Sequence, residues 1–258
     1  MLLSFSVETF NGLVGHYDDV RHFGDKDLAD MVPIINKFGD LFLKHGMEKH
    51  AALSLSHRHF MLNPGERKLA RQPNQTTLQI KAVPEAEADG ALPYLLLPVW
   101  KTKGSEASLV PLEYVIHEDK DQADLLRKDI DAVCNQEFLT EFLDLAMANS
   151  VNSVYGLTLL SRDTLTYEKT THTTLEGSGQ EPRSLVVRVV PKGGEENMRG
   201  EDVTTVAWAF SKDPKTGRVV PVSACSSLSH GDVGACWDHC YHCAHCSQHC
   251  VQFYHWKN

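Results

Sequence analysis

The sequence predicts an α+β fold with a mainly antiparallel sheet, two helical regions and a small tail rich in cysteine and histidine. Eight or nine segments have the alternation or residue content of strands, and two have apolar residues at helical spacing. Strands and helices do not alternate regularly, and no G-x-G-x-x-G motif follows a strand, which argues against a dinucleotide-binding fold. We therefore expect an α+β domain over residues 1–224 and a metal-binding tail over residues 225–258.

Two segments are expected to be helical. The first runs from about Pro33 to His45, since proline suits a first helical turn and Gly46 suits a stop. Its apolar positions share one face and are Ile34, Ile35, Phe38, Leu41 and Phe42. The second region runs from Asp119 to about Ala148, as one long helix or two short ones.

The strand candidates lie on both sides of the second helical region. The segment from Ala51 to Leu62 alternates, with His57 and His59 on one face, and the turn Asn63-Pro64-Gly65 ends it. The other candidates are residues 77–83, 94–101, 109–117, 151–160, 165–173, 184–190, 203–210 and 218–224. Polar connections are expected at residues 177–183 and 192–202.

Composition bounds the class of protein and its partners. Of the 258 residues, 42% are hydrophobic and 23% are charged, which is typical of a soluble globular domain. The net charge of −9 argues against nucleic acid or an anionic membrane surface as partner. No apolar run approaches the roughly 20 residues of a spanning helix. The opening residues lack a secretory signal, and seven cysteines are an odd number, so we expect a reducing compartment, the cytoplasm.

The segment Cys236–Cys250, which reads CWDHCYHCAHCSQHC, predicts metal binding. Thiolates and imidazoles are the ligands that zinc, copper and iron-sulfur clusters prefer. In a helix the five cysteines would fall within about 120° of one another, and in a loop the same spacing permits chelate rings. The thiolate candidates are Cys236, Cys240, Cys243, Cys246 and Cys250. The interleaved histidines are His239, His242, His245 and His249, which complete the coordination or tune it.

Zinc is the favoured metal of this cysteine-rich tail, although Cys225 or His230 would have to supply the more distant ligand that zinc modules usually contain. Copper(I) is the second candidate, because the run is compact and its ligands are soft. An iron-sulfur cluster is the third, since the four cysteines from Cys240 to Cys250 have ferredoxin spacing, although Val251 replaces the usual proline. Disulfides, or nonspecific capture by a disordered tail, are the remaining interpretations.

The tail is not expected to bind nucleic acid. No lysine or arginine lies between Arg218 and Lys257, so this segment cannot neutralise phosphates. Its aromatic residues are expected to dock on the main domain or on a protein partner, and they are Trp237, Tyr241, Phe253, Tyr254 and Trp256.

A second constellation is the pair His57-x-His59. On a strand the two imidazoles share a face about 7 Å apart, a spacing that metal sites in barrels use. Spacing does not single out a third ligand among the candidates His16, His22, His50, Glu113 and His117. The alternative is a pair of half-buried histidines that are hydrogen-bonded within the sheet.

These patterns leave three function classes open. The first is a metal-binding protein with a structural or homeostatic role. The second is a metalloenzyme that presents copper or iron, including iron-sulfur, to a small-molecule pocket in the α+β domain. The third is an interaction module whose tail engages a protein. The sequence contains no G-x-S-x-G, Walker-type or H-E-x-x-H motif, so no catalytic residue can be assigned.

Overall fold

The structure, a computed structural model, describes residues 1–15, 28–101, 106–165, 171–191 and 203–228. All nine predicted tail ligands, from Cys236 to Cys250, lie outside the described residues. Within the described part, none of the helices is both long and apolar enough to span a membrane.

The described chain contains four α-helices, three short 3-10 turns and twelve strands. The helices are α1 (Val7–Asn11), α2 (Leu28–His45), α3 (Lys120–Val133) and α4 (Gln136–Ala148). The first six strands are β1 (Val14–Gly15), β2 (Ala51–Leu55), β3 (His57–Arg58), β4 (Glu66–Asn74), β5 (Thr77–Pro84) and β6 (Leu92–Trp100). The others are β7 (Ala107–Val115), β8 (Tyr155–Leu159), β9 (His172–Ser178), β10 (Ser184–Pro191), β11 (Val203–Lys212) and β12 (Val219–Leu228). The 3-10 turns are Met47–Lys49, Glu85–Ala88 and Leu160–Arg162.

Ten of the strands close into a barrel. The order around it is β10-β5-β4-β7-β6-β8-β2-β11-β12-β9, and β9 pairs with β10 to complete the ring. The pairs β4–β7 and β9–β12 are parallel, and the other pairs of the ring are antiparallel. The α+β class is thus confirmed, with a mixed sheet. Closure gives the barrel an interior in which side chains from distant strands face one another.

The helices cover one side of the barrel with an aromatic core. Phe38 and Phe42 of α2 contact Phe142 and Phe138 of α4, with ring centroids 4.7 and 5.4 Å apart, and Phe42 also contacts Phe210 of β11. All five rings are buried, so this layer supplies much of the apolar burial that stabilises the fold.

The first predicted helix ends where expected but begins earlier than predicted. Helix α2 begins at Leu28, so the predicted start at Pro33 is wrong and this proline lies inside the helix. At this sixth position the proline removes one backbone hydrogen bond and its ring crowds the carbonyl four residues earlier, a cost that the packing of α2 outweighs. The predicted stop at Gly46 is confirmed, because its φ of 70° is a left-handed conformation that glycine adopts at little cost. The second region is two helices, and Asn135 caps α4 by accepting from the Phe138 N–H.

Two strands differ from the prediction, each for a reason in the local sequence. Strand β8 begins at Tyr155 rather than at residue 151, since the left-handed φ of 61° at Ser153 makes a turn there. Strand β4 was missed, because its sequence ERKLARQPN has the polar character of an exposed loop. One of those polar residues, Lys68, is fully buried, which connects the missed strand to the site below.

Close packing of α2 on the barrel makes a testable prediction at Gly39. A Cβ at this position would lie 2.5 Å from Val219 Cγ1 and 2.7 Å from Phe210 Cδ1. Although alanine normally favours a helix, we expect Gly39→Ala to lower the free energy of unfolding by about 1–3 kcal/mol through overpacking. Urea denaturation measures this, with the exposed neighbouring change Asp40→Ala as control. A Gly39→Ala variant more stable than the parent protein would contradict the packing described here.

Candidate functional site

Three ligand-type side chains converge inside the barrel. His57 comes from β3, His59 from the bend that follows it, and Glu176 from β9. The Nε2 atoms of the two histidines are 3.0 Å apart, and Glu176 Oε1 lies 2.9 Å from His57 Nε2 and 3.4 Å from His59 Nε2. Their side chains are 12%, 4% and 10% exposed respectively, so the group is enclosed.

The chain around Ser56 explains how both histidines reach one point. Strand β2 ends at Leu55, and β3 leaves the barrel sheet to pair with β1, with Val14 opposite His57. The Ser56 N–H donates to the Val154 carbonyl at 2.7 Å, which fixes the position of this break. Residues two apart then project to the same side, as the sequence predicted for His57 and His59.

A backbone contact orients the His57 ring. Its Nδ1 lies 2.9 Å from the Leu55 carbonyl oxygen, to which it donates. Because Nδ1 donates to this carbonyl, Nε2 is the atom that faces the Glu176 oxygen and the His59 nitrogen. It donates to Glu176 while it is protonated, and it offers a lone pair to a metal ion once that proton is lost. A carbonyl that holds the Nδ1 proton is the usual second contact of a metal-binding histidine.

The distances between the three donor atoms suit a common ligated centre. An ion about 2.1 Å from each of the three atoms would lie roughly 1 Å above their plane, and the angles between its ligands would be about 90–110°. Imidazole nitrogen and carboxylate oxygen bind zinc at that distance, and two histidines with one carboxylate on a single face are typical of non-haem iron(II). The ligands would occupy one side of the ion and leave its other side open.

The pKa shifts of these three side chains indicate that the buried group needs a positive charge at its centre. Burial lowers the pKa of His57, but the charge and hydrogen bond of Glu176 outweigh it and hold that pKa above its ordinary value. For His59, burial prevails and lowers the pKa. Burial raises the pKa of Glu176, yet the two histidines hold it well below its ordinary range. The carboxylate is therefore ionised, and either a proton or a metal ion must balance it.

A second buried polar group adjoins the first. Lys68 Nζ donates to Glu113 Oε1, and the Tyr94 hydroxyl donates to Glu113 Oε2. In the parallel β4–β7 pair, Leu69 lies opposite Tyr114, which brings Lys68 beside Glu113. A register shift between Pro93 and Leu95 leaves Tyr94 at a bulge of β6. Burial, followed by the charge of Glu113, raises the pKa of Tyr94 well above its ordinary value, so its hydroxyl stays protonated.

One small cavity joins the two groups. Its volume is about 30 Å³, enough for one or two water-sized bodies, and both His57 and Lys68 line it. Apolar side chains close the rest, among them Ile80, Leu95 and Val206. The space beside the donor triangle is therefore enclosed and small.

Sequence reasoning identified two members of this site and missed the third. Glu176 lies beyond the predicted strand 165–173, in a stretch where β9 continues to Ser178. Of the proposed third ligands, His50 contacts Asp129 and Glu113 contacts Lys68 and Tyr94. His117 is not part of the cluster, and His16 and His22 lie outside the described residues. The local sequence carries no signal for Glu176: it directly follows Leu175 in the strand, and because successive side chains face opposite sides, the apolar pattern would predict an exposed carboxylate.

No protein-family model, curated protein or solved structure matches this chain.

Proposed function

We propose that this protein binds a divalent first-row transition metal ion inside its barrel, through His57 Nε2, His59 Nε2 and Glu176 Oε1. The observation that carries the proposal is the convergence of these atoms, at separations of 2.9–3.4 Å, in a buried space. Two imidazoles and one carboxylate favour zinc or iron(II) over magnesium or calcium, which prefer oxygen ligands.

A hydrogen-bonded pair of histidines is the competing explanation, and it predicts a different chemistry. In that case one proton on His57 Nε2 serves Glu176, and the group needs no ion. Ion binding replaces this proton, because metal ligands must be deprotonated. The two explanations therefore differ in whether the folded protein takes up one ion per chain at this site.

The test of this proposal uses a tail-serine variant, in which all nine predicted tail ligands from Cys236 to Cys250, the five cysteines and the four interleaved histidines, are serine. Equilibrium dialysis against zinc, followed by elemental analysis, is expected to find one ion per chain in this variant. Less than a tenth of an ion per chain at saturating zinc would reject the barrel site.

The C-terminal segment Cys236–Cys250 is proposed as a second, thiolate-rich site with a structural or homeostatic role, zinc being the first candidate. Its support is the density of thiolates and imidazoles in the sequence, together with the cytoplasmic location that we infer from the odd cysteine count. In cobalt-loaded protein, thiolate-to-cobalt charge-transfer bands report on this segment. They should weaken in a Cys240→Ser/Cys243→Ser variant, and bands of undiminished intensity would exclude these two ligands.

A metalloenzyme is the second candidate function, and the cavity favours it. Structural zinc sites are closed by four protein ligands, whereas catalytic sites keep an open position. Here three ligands would lie on one side of the ion, and the same three residues line the cavity of about 30 Å³. An ion in this position could bind and polarise a small ligand, and the neighbouring Tyr94 and Lys68 would supply hydrogen-bond donors.

A further inference from the structure

The cavity beside the donor triangle offers hydrogen-bond donors on its Lys68 side. Lys68 lines it as a cation, and its ammonium carries three N–H donors, one of which serves Glu113 Oε1. Of the described residues that line it, Glu113 is the only carboxylate besides Glu176, and both of its oxygens already accept, from Lys68 and Tyr94. A small ligand bound beside Lys68 would therefore accept from the remaining N–H groups of its ammonium.

The charges around the cavity also favour an anionic ligand. A divalent ion together with Lys68 brings three positive charges, whereas Glu176 and Glu113 supply two negative charges. An excess of about one positive charge remains in a buried space, where an uncompensated charge is costly and one anionic guest would restore neutrality.

The size of the space limits that guest. About 30 Å³ holds one or two water-sized bodies, and the buried side chains of Leu55, Ile80 and Leu95 leave no room for an organic ligand. Ala207, 4% exposed, also lines the cavity, and a larger side chain there would fill it.

From these three observations we infer that the metal-loaded barrel binds one small inorganic monoanion, of two or three non-hydrogen atoms or a hydroxide, between the ion and the Lys68 side of the cavity. The inference rests on the proposed metal site. It names the ligand class that the open side of the ion would take.

The test titrates azide into the cobalt-loaded tail-serine variant and follows the visible cobalt spectrum. We expect a saturable spectral change with azide and none with benzoate, which is too large for the cavity. A spectrum that azide leaves unchanged would overturn the anion site, as would an equal response to benzoate. Failure to load cobalt at all is a separate result, which rejects the metal site itself.

Two variants locate the anion. Ala207→Leu is expected to weaken azide binding at least tenfold with cobalt stoichiometry unchanged, and Ala148→Leu, on an exposed helix position, serves as control. Lys68→Met/Glu113→Gln, which removes both members of the ion pair, should weaken azide at least tenfold as well. If both variants load cobalt and bind azide as the parent does, the anion does not occupy this cavity.

The pH dependence separates two sources of the anion. Apparent azide affinity that falls in proportion to hydroxide concentration on the alkaline side identifies hydroxide as the resident ligand. Affinity that is independent of pH there identifies an anion taken from solution. Either result supports the site.

Discussion

Glu176→Gln should lower the affinity of the barrel for zinc at least a hundredfold, measured by competition with a chromophoric chelator in the tail-serine variant. Glutamine keeps the size of the side chain, but it replaces an anionic ligand by a neutral amide. Loss of a residue that only supports a metal ligand already costs about 10–100-fold in affinity, so loss of a ligand itself should cost more.

The matched control for this change is Glu181→Gln. Glu181 lies a few residues further along the chain, is largely exposed and pairs with Lys81. Its substitution removes the same charge without touching the donor triangle, so zinc affinity should stay within about twofold, since exposed pairs act weakly at a distance. If the two variants bind zinc equally well, Glu176 is not a ligand and the three-atom site is wrong.

Lys68→Met is expected to have the largest effect on stability, a loss of about 3–5 kcal/mol in the free energy of unfolding. The side chains of Lys68 and Glu113 are 1% and 7% exposed, and methionine would leave the Glu113 carboxylate buried with Tyr94 alone as donor. Urea denaturation, monitored by circular dichroism, measures the loss.

A double variant and a surface control complete this prediction. Lys68→Met/Glu113→Gln removes both charges together, so it should recover more than half of the loss, since a neutral buried pair needs no counter-ion. Lys81→Met breaks the exposed pair with Glu181 and should change stability by less than about 1 kcal/mol. A Lys68→Met variant as stable as Lys81→Met would show that Glu113 is not held ionised by Lys68.

The parts of the fold that could be predicted follow local periodicity. Helix α2 and most strands after residue 77 carry apolar spacing that depends only on neighbouring residues, and the structure reproduces them with shifted ends. Strand β4 could not be read this way, because Lys68 points into the barrel and its charge is neutralised by Glu113, which lies 45 residues away in sequence. Long-range compensation of this kind leaves no local pattern.

The candidate site also has one part that the local sequence predicts and one part that it does not. His57 and His59 are two residues apart, so strand geometry alone places both side chains on one face. Their third partner comes from β9, 119 residues beyond His57, and it arrives only because the barrel closes. Neither spacing nor composition fixes that closure, which explains why Glu113 and His50 were considered and Glu176 was not. The nine predicted tail ligands remain a prediction.

The central claim is that one ion lies between His57, His59 and Glu176, and the most direct measurement is anomalous X-ray diffraction at the zinc edge from zinc-loaded crystals of the tail-serine variant. The account predicts one strong peak in the barrel, about 2.0–2.2 Å from both Nε2 atoms and from a carboxylate oxygen of Glu176. A barrel without such a peak, with Nε2 of His57 still in hydrogen-bond contact with Glu176 in zinc-soaked crystals, would contradict it.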